Sequence, residues 1–115
     1  MTQLLGVVLS GTGSSLPTRI VPNDDFTDVL HLDTSDEWIV ERTGIRERHV
    51  GGTNAELSVQ AGRKALAMAG VDPSEIQALV LSTTTPDRTV PATSATVQHA
   101  LGLRCGAFDV NAACS

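Results

Sequence analysis

Ala107-Phe108-Asp109-Val110-Asn111-Ala112-Ala113-Cys114-Ser115 is the stretch on which the fold turns. Ala107, Phe108 and Val110 make an apolar, strand-like run, and two alanines then carry the chain to a cysteine with room for close approach. A strand, a small-residue turn and a helix N-terminus in succession form a setting that makes a thiol reactive. Backbone amides and the positive end of the helix dipole stabilise the thiolate. Cys114 therefore reads as a nucleophile, although the common fate of a free thiol is structural burial. Cys105 has no such setting and reads as a small apolar filler. The helix expected to activate Cys114 would follow Ser115. Residues 1–115 accordingly read as the front part of an enzyme, an incomplete domain ending just after its nucleophile.

Outward from that strand the chain alternates strands and helices. Leu4 to Leu9 is a nearly continuous apolar run that empties into Ser10-Gly11-Thr12-Gly13-Ser14-Ser15, and it predicts a buried strand followed by a loop. Pro22-Asn23 opens a short helix through about Leu30, with Asn23 as cap and acids in its first turn. Thr34-Ser35-Asp36-Glu37 has capping-box spacing and starts a helix that Gly44 can end. Thr53-Asn54-Ala55-Glu56 repeats that spacing before a helix with Val59, Gly62, Leu66 and Ala69 on one face and Gly70 as its stop. Asp72-Pro73-Ser74-Glu75 is a capped turn leading to a second buried strand, Ala78-Leu79-Val80-Leu81. Pro91 fits the first turn of another helix, stopped by Gly102. The alternation predicts an α/β fold, a parallel-rich sheet with helices on both faces.

Composition narrows the function classes. The 115 residues are 41% hydrophobic and 18% charged, values of a globular chain rather than a disordered one. A net charge of -5, with no basic stripe, argues against a nucleic-acid surface. No apolar run approaches the roughly 20 residues that span a bilayer, and the N-terminus lacks the basic region of a secretory signal. Two cysteines do not make a disulfide framework, so a reduced, cytoplasmic protein is expected. Those two cysteines are nine residues apart and the histidines are scattered, so no zinc spacing exists and no metal is expected.

The remaining candidates divide between chemistry and structure. Gly11-Thr12-Gly13 lacks the third glycine of a dinucleotide fingerprint, with Leu16 in its place, and reads as a plain turn. His31, His49 and His99 could each serve as a base, but none is assigned a catalytic role. His49 lies in Arg46-Glu47-Arg48-His49, a segment that suits a solvated surface. Trp38 and Arg42 stand four apart and share a helix face. Together they suit a flat aromatic ligand bearing phosphates. Alternatively, Trp38 is core and Arg42 pairs with Glu41 or Asp36.

Two longer stretches carry a resemblance. Asp33-Thr34-Ser35-Asp36-Glu37-Trp38-Ile39-Val40-Glu41-Arg42-Thr43-Gly44-Ile45-Arg46-Glu47-Arg48-His49 and the Cys114 segment, with the Gly11-Thr12-Gly13-Ser14 turn and the Ala67-Met68-Ala69-Gly70 helix end, resemble β-ketoacyl-[acyl carrier protein] synthase III. That family has the thiolase-like fold, two similar βαβαβαββ halves, and forms homodimers. The resemblance implies that Cys114 accepts the acyl group and that Trp38 stacks on the adenine of coenzyme A, with Thr34 and Arg42 nearby. It implies acyl-CoA and malonyl-acyl carrier protein as substrates and no permanently bound cofactor. The catalytic His and Asn lie in the family's second half. Members that use acetyl-CoA often carry Phe at the position of Val90, where it closes a neighbour's acyl pocket. Valine there implies larger primers. Competing readings are a same-fold acyltransferase acting without decarboxylation, a cysteine hydrolase with a nucleophile elbow and a non-catalytic fragment. Ala112 stands where the elbow needs its first glycine, which weakens the hydrolase reading.

Overall fold

The structure is a computed structural model that describes residues 6–112. In chain order its elements are β1 (Arg19–Pro22), α1 (Asp24–Asp28), α2 (Asp36–Thr43), β2 (Glu47–Val50), α3 (Asn54–Ala69), a 3-10 turn (Pro73–Glu75), β3 (Ala78–Ser82), α4 (Thr93–Leu101) and β4 (Gly106–Val110). The described residues form two compact units, one built from residues 16–52 and the other from residues 6–15 and 53–112.

In the larger unit β3 and β4 pair in parallel, with Leu79 opposite Ala107, Val80 opposite Phe108 and Ser82 opposite Val110. Helix α4 packs on this pair and on α3. Its Val97 and Leu101 join Leu103 in a buried cluster, against which Ala55, Val59, Ile76, Leu79 and Cys105 pack. Val97 is 1% exposed, and burying such a side chain stabilises by about 1.5–3 kcal/mol. Cys105 thus fills core space. Side chains alternate along β3: Leu79 and Leu81 are half-buried, whereas Val80 is exposed, so that among the described residues this strand is open on one side.

Helix α3 follows its local signals. Thr53 Oγ1 accepts from the Glu56 amide at 3.1 Å, and the Glu56 carboxylate accepts from the Thr53 amide at 3.0 Å. The helix stops at Gly70, in the left-handed region at φ 66°. The Asp72–Glu75 turn is capped reciprocally, as its spacing predicts. Helix α4 departs from expectation by starting at Thr93, with Pro91 outside it. The start is set from a distance: the Asp109 carboxylate accepts from the Thr93 amide at 2.9 Å and from the Ser94 amide at 2.8 Å.

The expected strand from Leu4 to Leu9 is not formed over 6–9, which is irregular and exposed; Leu4 and Leu5 lie outside the described residues. Among the described residues no strand pairs with this segment. Nor is Gly11-Thr12-Gly13 a turn. It is irregular chain laid along α3, where Ala61 and Ala65 leave space. A Cβ on Gly13 would stand 2.2 Å from the Ala61 carbonyl oxygen, and one on Gly11 would stand 2.5 Å from that of Ala65. These glycines serve close backbone approach. Lys64 Nζ donates to the Ser14 carbonyl at 2.7 Å and holds the segment in place.

The smaller unit contains an antiparallel strand pair that the sequence pattern conceals. Strands β1 and β2 are antiparallel, with Val21 opposite Arg48 and Ile20 opposite His49. Val21 is buried. Helix α1 is shorter than expected, and Asn23 makes no side-chain cap to it. Asn23 is instead 1% exposed and is the polar centre of the unit. Its Nδ2 donates to Asp36 Oδ1 at 2.7 Å and to the Ile45 carbonyl at 2.8 Å, and its Oδ1 accepts from Arg48 at 2.7 Å. The Arg48 guanidinium also lies 4.6 Å from the centre of the Phe26 ring. Helix α2 is capped one residue later than the sequence suggests. Ser35 Oγ accepts from the Trp38 amide at 3.2 Å, so the expected Thr34–Glu37 box does not form. Gly44 ends α2 as expected, at φ 72°.

Candidate functional site

Helix α2 is two turns long, and its first and last turns carry the two side chains with most to offer a ligand. Trp38 is 52% exposed and is not among the buried residues of the smaller unit. Spacing of four residues brings Arg42 onto the indole, with its guanidinium carbon 4.3 Å from the ring centroid. Such a contact at an exposed position is worth about 0.5–1 kcal/mol. Arg42 also lies 3.6 Å from Glu41, both side chains being largely exposed. This is one of the two ion pairs open to Arg42 in the sequence, and an exposed pair of this kind contributes about 0–1 kcal/mol. Chemically the pair offers a flat aromatic surface beside a delocalised cation with several N–H donors.

Thr34 precedes the Ser35 cap. Its carbonyl accepts from Thr27 Oγ1 at 3.1 Å, while its own hydroxyl oxygen is buried with no hydrogen-bond partner among the described residues. A hydroxyl shielded in this way costs free energy unless something pairs with it. Thr34, Trp38 and Arg42 therefore belong to one short stretch of the smaller unit, with a polar group in need of a partner at its head.

Of the other two candidates, Val90 lies in the larger unit. Strand β4 ends at Val110, whose carbonyl accepts from the Thr83 amide at 3.0 Å. Cys114 lies outside the described residues, so its position and neighbours are not part of the structure. Asp109 on β4 keeps its carboxyl below the usual carboxylate range, chiefly through Ser94, whose amide donates to Oδ1 at 2.8 Å, with a further bond from the Thr93 amide. Val90 is 81% exposed and belongs to the loop between β3 and α4.

Asp87 anchors that loop, and its part was not foreseen. Its two carboxylate oxygens accept from the Asn54 amide at 2.7 Å and the Ala55 amide at 2.9 Å. These are the first two amides of α3, and Thr53 serves the third. Asp87 N in turn donates to Thr93 Oγ1 at 3.1 Å, and Asn54 Nδ2 donates to the Thr85 carbonyl. Local spacing holds no trace of a cap supplied from 33 positions away.

The three histidines are exposed. His31 is exposed with φ 54°. His49 is exposed, and its Nδ1 lies 2.7 Å from the Pro17 carbonyl oxygen, in keeping with a surface group. His99 is exposed in the last turn of α4. Among the described residues no cluster of His, Cys, Asp or Glu is arranged to hold a metal ion, and no helix is long and apolar enough to cross a membrane.

Comparison with known proteins gives these pieces a context. No protein-family model matches the chain. It is 54% identical over 112 residues to a β-ketoacyl-[acyl-carrier-protein] synthase III of Novosphingobium aromaticivorans, covering 94% of this chain and 34% of that protein. It is 50% identical over 119 aligned positions to the synthase III of Bradyrhizobium diazoefficiens, covering 100% of this chain and 36% of that protein. The chain thus spans about a third of the length of the curated relatives it matches. Among solved structures, 3-oxoacyl-[acyl-carrier-protein] synthase III from Aquifex aeolicus superposes with a TM-score of 0.85 at 41% identity, over 91% of this chain and 34% of that one. The priming β-ketosynthase of the R1128 polyketide pathway also gives 0.85 at 41% identity, over 92% of this chain and 32% of that one. The α/β, thiolase-like fold expected from the sequence is the fold that these superpositions share.

Proposed function

We propose, on the premise that this chain belongs to the β-ketoacyl-[acyl carrier protein] synthase III family as an N-terminal part of it, that the whole protein is a condensing acyltransferase. It would transfer an acyl group from coenzyme A to Cys114 and then extend it with malonyl-acyl carrier protein, starting a fatty-acid or polyketide chain. The observation that carries this reading is identity of about half the positions along nearly the whole chain to synthases of that name. Similarity to a polyketide priming ketosynthase supports keeping both kinds of product.

In this reading α2 receives the coenzyme A end of the substrate. Trp38 stacks on the adenine, Arg42 supplies donors to phosphate oxygens, and the Thr34 hydroxyl gains a hydrogen-bond partner. At the other end, a strand-to-helix turn lowers the Cys114 pKa. The thiolate attacks the thioester carbonyl, and the oxyanion is held in part by the Cys114 backbone amide. Collapse expels the coenzyme A thiolate and leaves an acyl-cysteine. Malonyl-acyl carrier protein then loses CO2, the electron pair of the broken bond forming a carbanion. That carbanion attacks the acyl carbonyl, and the Cys114 thiolate departs from the β-ketoacyl product. No permanently bound cofactor is required. The protein acts as a cytoplasmic homodimer, and Val90 closes the far end of the partner's acyl pocket less tightly than phenylalanine does, admitting branched or medium-length primers.

The test supplies the full-length protein with acyl-CoA and malonyl-acyl carrier protein and measures CO2 release together with the carrier-bound product. Equal yields of CO2 and β-ketoacyl product are expected. Transfer of the acyl group to an alcohol or amine with no CO2 released would replace this reading with that of a same-fold acyltransferase.

A further inference from the structure

Asn23 is nearly inaccessible, yet every polar group of its side chain is used. The partners fix its orientation without ambiguity. The Ile45 carbonyl and the Asp36 carboxylate accept, so they face Nδ2, and Arg48 can only donate, so it faces Oδ1. Its backbone is engaged too, since the Asn23 amide donates to the Arg46 carbonyl at 3.1 Å.

The places of those partners along the chain matter most. Asp36 is the first residue of α2, and Ile45 follows the Gly44 at which α2 ends. One buried amide therefore holds both ends of the helix that carries Trp38 and Arg42. Arg48, on β2, braces the amide from the opposite side while its guanidinium rests against Phe26. A helix of eight residues is too short to be stable alone, so its placement depends on such tertiary anchors.

We propose that Asn23 is a positioning residue for coenzyme A recognition: by tying both ends of α2 it sets the pose of Trp38 and Arg42 without itself touching substrate. The proposal rests on the reading of α2 as the coenzyme A end of the site. Replacing the amide by a carboxylate of equal size keeps the Arg48 contact but sets like charges face to face at Asp36 and removes the donor to Ile45. The helix then shifts, and the effect is expected on acyl-CoA binding.

The experiment uses the full-length protein with Asn23→Asp, Asp36→Asn and the two combined, and reads steady-state kinetics with both substrates beside thermal melting. Asn23→Asp should raise the acyl-CoA KM about tenfold, leaving kcat and the malonyl-carrier KM within about twofold. Asp36→Asn alone keeps an acceptor for Nδ2 and should change little. The combined variant regains a donor opposite the new carboxylate and should recover part of the lost affinity. An unchanged acyl-CoA KM in Asn23→Asp, or a kcat that falls with the folded fraction while KM stays put, overturns the proposal. If Asn23→Asp does not fold, Asp36→Ala, which removes one of the two ties, must show the same KM-selective effect. Trp38→Ala serves as the reference. A raised KM there with none in the Asn23 variant refutes the positioning role alone, whereas no change in Trp38→Ala refutes the assignment of α2 itself.

Discussion

Replacing Asp87 by alanine should destabilise the protein by about 2 kcal/mol, far more than its exposure suggests. An exposed loop substitution ordinarily stays within about 0.5 kcal/mol. Here the carboxylate accepts from the first two amides of α3, at 2.7 and 2.9 Å. Removing a capping acceptor costs about 0.5–2 kcal/mol, and losing a negative charge at a helix N-terminus costs about 0.3–1 kcal/mol more. The loop also loses its tie to a helix 33 positions away, which places the sum near the upper part of the capping range. Asp87→Asn keeps one acceptor oxygen and loses the charge, so it should cost about half as much. Thr53→Ala frees only the Glu56 amide and should cost about 1 kcal/mol. Urea denaturation of the full-length protein, monitored by circular dichroism, ranks the three. Asp87→Ala within 0.5 kcal/mol of the parent, on the scale of an ordinary surface change, would show that the carboxylate does not hold α3 in solution.

Three further outcomes are expected. Asp109 and Asp72 have carboxyl pKa values held below the ordinary 3.8 by hydrogen bonds from Ser94 and Ser74 respectively. A depressed folded-state pKa contributes stability that is present above the unfolded value and lost as pH falls through the folded one, so denaturation midpoints should drop below about pH 4, and the deficit of Asp109→Asn at neutral pH should narrow there. Gly13→Ala places a Cβ 2.2 Å from a backbone oxygen, whereas Gly62→Ala meets only the end of the Leu101 side chain at 2.9 Å; thermal melting should show the first to be much the more damaging. Val90→Phe should move the preference among acyl-CoAs toward acetyl, since each buried methylene is worth about 0.8 kcal/mol, and relative acylation rates for two- to eight-carbon chains measure it.

The residues that sequence reading places well are those whose determinants are local. Thr53 and Glu56, the stops at Gly44, Gly70 and Gly102, and the strands at β3 and β4 depend on spacings of a few positions. What escapes depends on partners far along the chain. Asn23 resembles a helix cap in sequence, but its amide is claimed by Asp36, Ile45 and Arg48. The start of α4 is set by Asp109, so Pro91 misleads by two positions. Strand β2 is written in charged residues, Glu47, Arg48 and His49, because it is four residues long and largely exposed; alternation has no room to show. In the candidate site, the shared face of Trp38 and Arg42 follows from their spacing, while nothing local distinguishes the solvent-exposed indole from a core one. The orphaned Thr34 hydroxyl emerges only once Ser35 is seen to take the capping role.

The most direct test of the account is to incubate the full-length protein with acyl-CoA, without malonyl-acyl carrier protein, and to map the acylated peptide by mass spectrometry. The acyl group should be found on Cys114, should be absent from Cys105 and should disappear in Cys114→Ala. Acyl label on Cys105 alone, or undiminished acylation in Cys114→Ala, would contradict the assignment of Cys114 as the nucleophile.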